Sequence, residues 1–349
     1  DLSPVMELTA PARLLGAAAR PLILAGGGAR RAADAVAALA GRLGAPVVMT
    51  TNGRGILAAD HPLAVPASPS LEAVRSLIRE SDVVLALGTE IGPTDYNMYD
   101  HVGFEVPGRL IRIDIDPEQL RRGAVPDLAL PGDAGAGVAA LLAALGEGGP
   151  VAEGAARAGA ALSAAFDEIG PAYRAAAGFL ETVRDTLPEA PLVGDSTHAV
   201  YGGNLYYAAP APGRWFNAAT GFGALGYGLP AAIGAARALG GPVVCIAGDG
   251  GLQFTLAELG AAVEEGLAVI VLVSNNRGYG EIRNYMVEAG ITPVGVDLHT
   301  PDFVAIARAY GMAGMRMETL DALPALLGEA AARPGPTLIE FDQALITGG

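Results

Sequence analysis

At 349 residues, 51% of them hydrophobic but only 5% aromatic, the chain is too long for one ordinary core and builds its interiors from Ala, Val, Leu and Ile. A net charge of −15 with no basic run to offset it argues against nucleic acid as a partner. All 22 basic residues are arginines, leaving no lysine for a Schiff base or a Walker A loop; Cys245, the single cysteine, excludes an internal disulfide or multi-cysteine metal site and points to a cytoplasmic setting.

Short apolar runs alternate with helical patterns from the start. Asp1-Leu2-Ser3 carries neither a basic n-region nor an apolar h-region, so no signal peptide is expected. Buried strands are predicted at residues 21–25, 46–50, 82–87 and 110–115, and helices at 31–43, 71–79 and 134–145. This alternation implies right-handed βαβ crossovers and a parallel sheet. Gly146-Glu147-Gly148-Gly149-Pro150, with the Ala/Gly-rich stretch running on to about Ser163, reads as a linker. Beyond it, strands are predicted at 191–194, 243–247, 268–274 and 336–341, and helices at 223–236, 255–265, 301–310 and 320–331. The interval between Arg214 and Arg237 is uncharged, but Gly221, Gly223, Gly226, Gly228, Gly234 and Pro230 make it a poor lipid-facing helix. A buried turn and helix are expected there, with no membrane partner. The fold class expected is α/β: two doubly wound parallel-sheet domains, 1–150 and 165–349, joined by the Ala/Gly-rich linker.

Two strand ends carry the chemistry. The apolar run from Val243 to Ala247 ends in Gly248-Asp249-Gly250-Gly251, and the next strand ends in Asn275-Asn276-Arg277-Gly278. In open α/β sheets, ligands bind at the carboxyl ends of strands. Mg²⁺ takes hard oxygen ligands and usually only one or two protein groups beside phosphates, so Asp249, Asn276 and the Gly278 carbonyl form a sensible half-shell. Glycines beside Asp249 let the backbone approach phosphate oxygens, and a following helix start aims N–H groups at them. The alternative is an ordinary strand-to-helix turn with an Asp cap, and an Asn-Asn turn.

Taken together, the two motifs match the thiamine diphosphate motif, and nearly the whole chain resembles the thiamine-diphosphate-dependent family of acetolactate synthases and 2-oxo acid decarboxylases. Residues 220–235, Thr-Gly-Phe-Gly-Ala-Leu-Gly-Tyr-Gly-Leu-Pro-Ala-Ala-Ile-Gly-Ala, are similar to the family's aminopyrimidine cradle. The resemblance implies that Leu225 enforces the V-shaped cofactor and that the Gly223 carbonyl accepts its 4′-amino group, placing that group where it can take the C2 proton. Asp195-Ser196-Thr197-His198 resembles the loop touching the diphosphate, which gives Ser196, Thr197 and His198 as cofactor contacts, with a satisfied surface histidine as the alternative for His198. Gly248, Asp249, Gly250, Gly251, Asn276, Gly278, Tyr279 and Gly280 complete the implied cofactor set. Residues 1–150 resemble the central domain, through Leu22-Ile23-Leu24-Ala25-Gly26-Gly27-Gly28, Gly44-Ala45-Pro46-Val47-Val48 and 110–117. That domain binds flavin adenine dinucleotide (FAD) in acetolactate synthases and another nucleotide or none in relatives. Gly26-Gly27-Gly28 alone does not assure flavin and lacks the full dinucleotide fingerprint of a dehydrogenase.

Within the family, the stretch from Gly278 to Met286 most resembles decarboxylases of 5-guanidino-2-oxopentanoate, with an acetolactate synthase as the alternative and a non-catalytic nucleotide-binding or assembly module as the reading from another class. A helix starting near Tyr279 would carry Glu281 and Ile282 toward the substrate, because the matching positions line the pocket in relatives. The carboxylate of Glu281 would suit a guanidinium. The bland reading is that Glu281 favours its helix N-terminus or pairs with Arg283 or Arg277. The family's N-terminal domain, source of the glutamate that activates the cofactor, has no counterpart in these residues. The expectation is therefore a shortened chain or one subunit of a split enzyme, inactive alone, from a homodimer or homotetramer acting on a small 2-oxo acid.

Overall fold

The structure, a computed structural model, describes residues 7–97, 103–146 and 149–347, so Asp1-Leu2-Ser3 and, in the expected linker, Glu147 and Gly148 lie outside the described residues. The chain forms two compact units, Asp1–Ile169 with Asn204–Gly213, and Gly170–Gly203 with Arg214–Gly349.

The first unit is built on β1 (Pro21–Ala25), β2 (Val47–Met49), β3 (Ala64–Val65), β4 (Val83–Leu87), β5 (Arg109–Asp114) and β6 (Leu128–Pro131), all parallel in the order β3-β2-β1-β4-β5-β6. Strands β1 and β4 are buried along their whole length, as central strands covered on both faces must be, and their continuous apolar runs follow from that. Helix Ala33–Leu43 lays Val36, Leu39, Ala40 and Leu43 into the core at three- and four-residue spacing and stops at Gly44, a left-handed cap at φ 64°. From Gly154 onward, the stretch expected to be a linker is helical. Helix Gly154–Glu168 packs on helix Glu72–Arg79 and buries Arg157, Ala158, Ala161 and Ala165. Arg157 donates from Nη1 to the Pro21 carbonyl at 3.1 Å and from Nη2 to Ser81 Oγ at 2.8 Å. The Glu168 carboxylate accepts the first N–H groups of the neighbouring helix, from Glu72 at 2.7 Å and Ala73 at 3.0 Å. Alanine is the strongest helix former, so an alanine-rich stretch with one apolar stripe folds where composition alone suggests slack.

The second unit repeats the plan with β7 (Leu192–Gly194), β8 (Trp215–Asn217), β9 (Val243–Gly248), β10 (Val269–Asn275), β11 (Ala313–Met317) and β12 (Thr337–Asp342), again parallel, in the order β11-β12-β10-β9-β7-β8. Strand order reverses between β7 and β9, which opens a crevice at their carboxyl ends. The expected buried turn is a correction. Residues 221–224 are exposed, Phe222 at 105% of its reference area, and the helix begins at Gly228 rather than at 223. Gly223 and Gly226 hold φ of 65° and 86°, left-handed values that a helix cannot contain, so the glycines that suggested a buried start delay it. Among the described residues, no helix is long and apolar enough to cross a membrane.

Candidate functional site

All the residues singled out from the sequence for cofactor, metal or substrate meet around one cavity of about 230 Å³ at the carboxyl ends of β7, β9 and β10. Its wall runs from Ser196, Thr197 and His198 through Gly223 and Leu225 to Gly248, Asp249, Gly250 and Gly251, then Asn276, Gly278, Tyr279, Gly280 and Glu281. Tyr201 and Ile282 complete it.

Asp249, 1% exposed, opens the helix Asp249–Gln253 directly after β9. Its Oδ1 accepts the Asn276 N–H at 3.3 Å and its Oδ2 accepts the Thr300 hydroxyl at 3.1 Å. At the end of β10, Asn275 Oδ1 accepts the Arg277 N–H at 3.0 Å while its Nδ2 donates to Glu340 Oε1 at 2.8 Å. Asn276 Oδ1 accepts the Gly278 N–H at 3.1 Å while its Nδ2 donates to Gln343 Oε1 at 2.9 Å. Arg277 between them holds φ at 60°, a left-handed value that costs a non-glycine residue about 1 kcal/mol or more. A carboxylate, an amide oxygen and a backbone carbonyl are hard donors suited to Mg²⁺ with phosphate oxygens filling the rest of its octahedron. Among the described residues, no group of three or more His, Cys, Asp or Glu could hold a metal ion.

Asp195, named above only as the first residue of its loop, fixes the turn carrying Gly223 and Leu225. It is 1% exposed; Oδ1 accepts N–H groups of Ser196 at 2.8 Å and Gly226 at 3.2 Å, and Oδ2 accepts that of Gly228 at 2.8 Å. Burial pushes its carboxyl above the usual range, against the pull of those three donors. Ser196 Oγ donates to the Gly223 carbonyl at 2.9 Å, and a carbonyl oxygen has a second lone pair for another donor.

His198 is not a surface residue. Its side chain is 9% exposed, Nδ1 lies 3.2 Å from Glu281 Oε1, and the ring stacks on Tyr173 at 4.9 Å and 14°. Its Nε2 is buried without a hydrogen-bond partner among the described residues. Burial, with Glu281 nearby, pushes the Tyr173 hydroxyl up to about 12. The structure also decides the partner of Glu281: it is His198, while Arg283 binds Asp297 at 2.6 Å. Glu281 lies in the first turn of helix Gly280–Glu288, of which no residue is buried.

In the first unit, Gly26 and Gly28 press directly on Gly88 where β1 and β4 end, and a Cβ on either would overlap that backbone. Lack of a side chain is what this chain-on-chain contact requires, so Gly26-Gly27-Gly28 marks a tight turn of the sheet and supplies no observation for flavin.

Residues 195–341 match the model of the thiamine pyrophosphate enzyme C-terminal TPP binding domain, and residues 8–141 that of the thiamine pyrophosphate enzyme central domain. The chain is similar to the Pseudomonas aeruginosa protein named "Probable 2-ketoarginine decarboxylase AruI", 39% identical over 346 residues, covering 97% of this chain and 60% of the relative. It is 29% identical over 350 residues to the acetolactate synthase large subunit of Parasynechococcus marenigrum, covering 94% of this chain and 54% of that one. With the acetolactate synthase isozyme 3 large subunit of Escherichia coli it shares 28% identity over 357 residues, 96% of this chain and 60% of that one. The chain thus spans little more than half the length of these relatives. It belongs to the thiamine pyrophosphate enzymes, of which it carries the central domain and the C-terminal, cofactor-binding domain.

Proposed function

We propose that this chain holds thiamine diphosphate with Mg²⁺ and forms the cofactor-holding part of a cytoplasmic, homo-oligomeric enzyme that decarboxylates a 2-oxo acid. The observation that carries the reading is the meeting of Asp249, Asn276 and Gly278 with Gly223 and Leu225 around one cavity. When bound, the cofactor supplies a nucleophilic carbon and an electron sink for the cleaved bond. The residues of this chain bind and orient. Asp249, Asn276 and the Gly278 carbonyl would hold the metal; Ser196, Thr197 and the glycines of 248–251 would face the diphosphate. The Gly223 carbonyl would accept an amino group of the pyrimidine, on a turn that Asp195 and Ser196 keep rigid. Tight binding of thiamine diphosphate dependent on Mg²⁺ separates this reading from a nucleotide-binding or assembly module, which would take only an adenine nucleotide.

Turnover needs more than these residues. The family resemblance places the glutamate that activates the cofactor on a further domain. Phe222, Phe254, Ile282 and Tyr285 are exposed apolar side chains of the unit that holds the site, and burial against such a domain would suit them. Purified by itself the chain is expected to release no carbon dioxide from any 2-oxo acid, and to gain activity when the N-terminal domain is supplied, fused or in trans. Measured release from the chain alone, free of contaminating enzyme, would overturn the assignment of that glutamate.

For the substrate, the side chain of Glu281 favours a cationic tail. It stands at the cavity, 36% exposed, with Oε1 engaged by His198. A guanidinium can add two parallel hydrogen bonds to a carboxylate, which does nothing for pyruvate. The name of the Pseudomonas aeruginosa relative, a 2-ketoarginine decarboxylase, agrees with 5-guanidino-2-oxopentanoate; the acetolactate synthases support carboligation as the second reading. In the completed enzyme, Glu281→Gln is expected to lower kcat/KM for 5-guanidino-2-oxopentanoate by about 1.5–3 kcal/mol, on the order of ten- to a hundredfold. An uncharged 2-oxo acid of similar length should be little affected. Equal losses on both substrates would remove the cationic-tail assignment.

A further inference from the structure

Asn276 brings to the site an ambiguity that Asp249 lacks. The two ends of a carboxamide are nearly equal in size, but one is an oxygen that can coordinate a cation and the other an NH₂ that a cation repels. Its partners on both sides decide which orientation it holds. Here the nitrogen side has one. Asn276 Nδ2 donates to Gln343 Oε1 at 2.9 Å, which leaves Oδ1 on the side of Gly278, whose N–H it accepts at 3.1 Å.

Gln343 is itself an amide and would carry the same ambiguity, so its own orientation needs a cause. Ser274, fully buried, has its hydroxyl 3.5 Å from Gln343 Oε1 and donates to it. The oxygen of Gln343 thus faces two donors, a hydroxyl and an amide NH₂, and turning the amide over would set NH₂ against NH₂. Sheet register makes the meeting possible. β12 pairs with β10 with Asp342 beside Asn275, so the residue after each strand end, Gln343 and Asn276, leaves the sheet side by side. Asp342 Oδ1 accepts the Ala344 N–H at 2.9 Å and fixes the turn from which Gln343 reaches.

We propose that Gln343 is a positioning residue for the metal: through Oε1, backed by the Ser274 hydroxyl, it holds the amide of Asn276 with its oxygen available to a divalent cation and its nitrogen turned away. The inference rests on the Mg²⁺–diphosphate reading of the site. Partners that orient a metal ligand typically change affinity ten- to a hundredfold when lost.

The test is calorimetric titration of thiamine diphosphate with Mg²⁺ into the chain, Gln343→Met and Gln343→Glu, with thermal unfolding of the cofactor-free proteins alongside. Methionine keeps the length and removes the acceptor; glutamate keeps an acceptor and has no NH₂ to present. Gln343→Met is expected to bind on the order of ten- to a hundredfold more weakly and Gln343→Glu within about threefold of the unaltered chain, with similar unfolding temperatures for all three. Equal binding by Gln343→Met, or a loss in Gln343→Glu as large as in Gln343→Met, would overturn the proposal. Failure of the unaltered chain to bind would instead overturn the Mg²⁺–diphosphate reading beneath it.

Discussion

Asp249→Ala and Asn276→Ala are each expected to abolish Mg²⁺-dependent binding of thiamine diphosphate, a loss on the order of a hundredfold or more. Asp249 is the only charged member of the half-shell, and it faces the site from a position 1% exposed. Removing it would delete a hard oxygen and the only charge of that proposed half-shell. It also frees the Asn276 N–H and the Thr300 hydroxyl, both of which it accepts. Asn276→Ala keeps the charge but takes away the amide oxygen, and Asn276→Asp should retain binding because it keeps an oxygen at that place. Calorimetry with Mg²⁺, repeated with a chelator, reads the metal-dependent part alone. Unchanged affinity in both alanine variants would remove the site assignment.

Arg54→Met is expected to lower the stability of the first unit by about 3–5 kcal/mol, near the upper end of single substitutions. The guanidinium is 1% exposed, and burial pulls it down to about 10, still cationic at neutral pH. It donates to four carbonyls: Met49 at 3.1 Å, Asn204 at 2.8 Å, and Pro66 and Tyr207. Asp95, whose carboxyl burial pushes up, is the counter-charge and accepts the Thr51 N–H at 2.7 Å. Methionine fills much of the volume and satisfies none of these acceptors, while Asp95 loses the attraction of the Arg54 cation. Hydrogen exchange of residues 204–213 and denaturant unfolding of the variant would show the loss; a change under about 0.5 kcal/mol, the size of an ordinary surface substitution, would mean that water replaces the arginine.

The candidate site was legible to the extent that its chemistry is local in sequence. Gly248 to Gly251 and Asn275 to Gly278 each follow a long apolar run, and a buried strand ending in polar residues announces a ligand edge whatever the rest of the fold. What supports those residues was not legible. Thr300 and Gln343 reach Asp249 and Asn276 across 51 and 67 positions; Gln343 is brought there by the register of β10 with β12 and Thr300 by the loop before Phe303–Ala309, and no motif announces either. Asp195 reads in sequence only as the start of a loop, because its three N–H partners come together once the Gly226 turn folds back on it. β3 has two residues and β8 three, too short for alternation to register. An uncharged stretch is not for that reason a buried one, and residues 221–224, Gly-Phe-Gly-Ala, are exposed.

The Arg54 cluster has a consequence in time. All six strands of the first sheet are complete by Pro131, yet two of the four carbonyls around Arg54 belong to residues 204 and 207, which the chain supplies only after starting its second unit. Asn204 follows Arg54 by 150 residues, which a ribosome adding about 5–20 residues per second needs roughly 8–30 s to synthesise. The sheet is complete only at Pro131, so for the last 73 residues of that interval, from Pro131 to Asn204 and roughly 4–15 s at the same rate, it can assemble around an arginine with half its acceptors missing. A fragment cut after Ile169 would stay in that state permanently, holding every strand of its sheet and lacking the segment that closes over its buried charge.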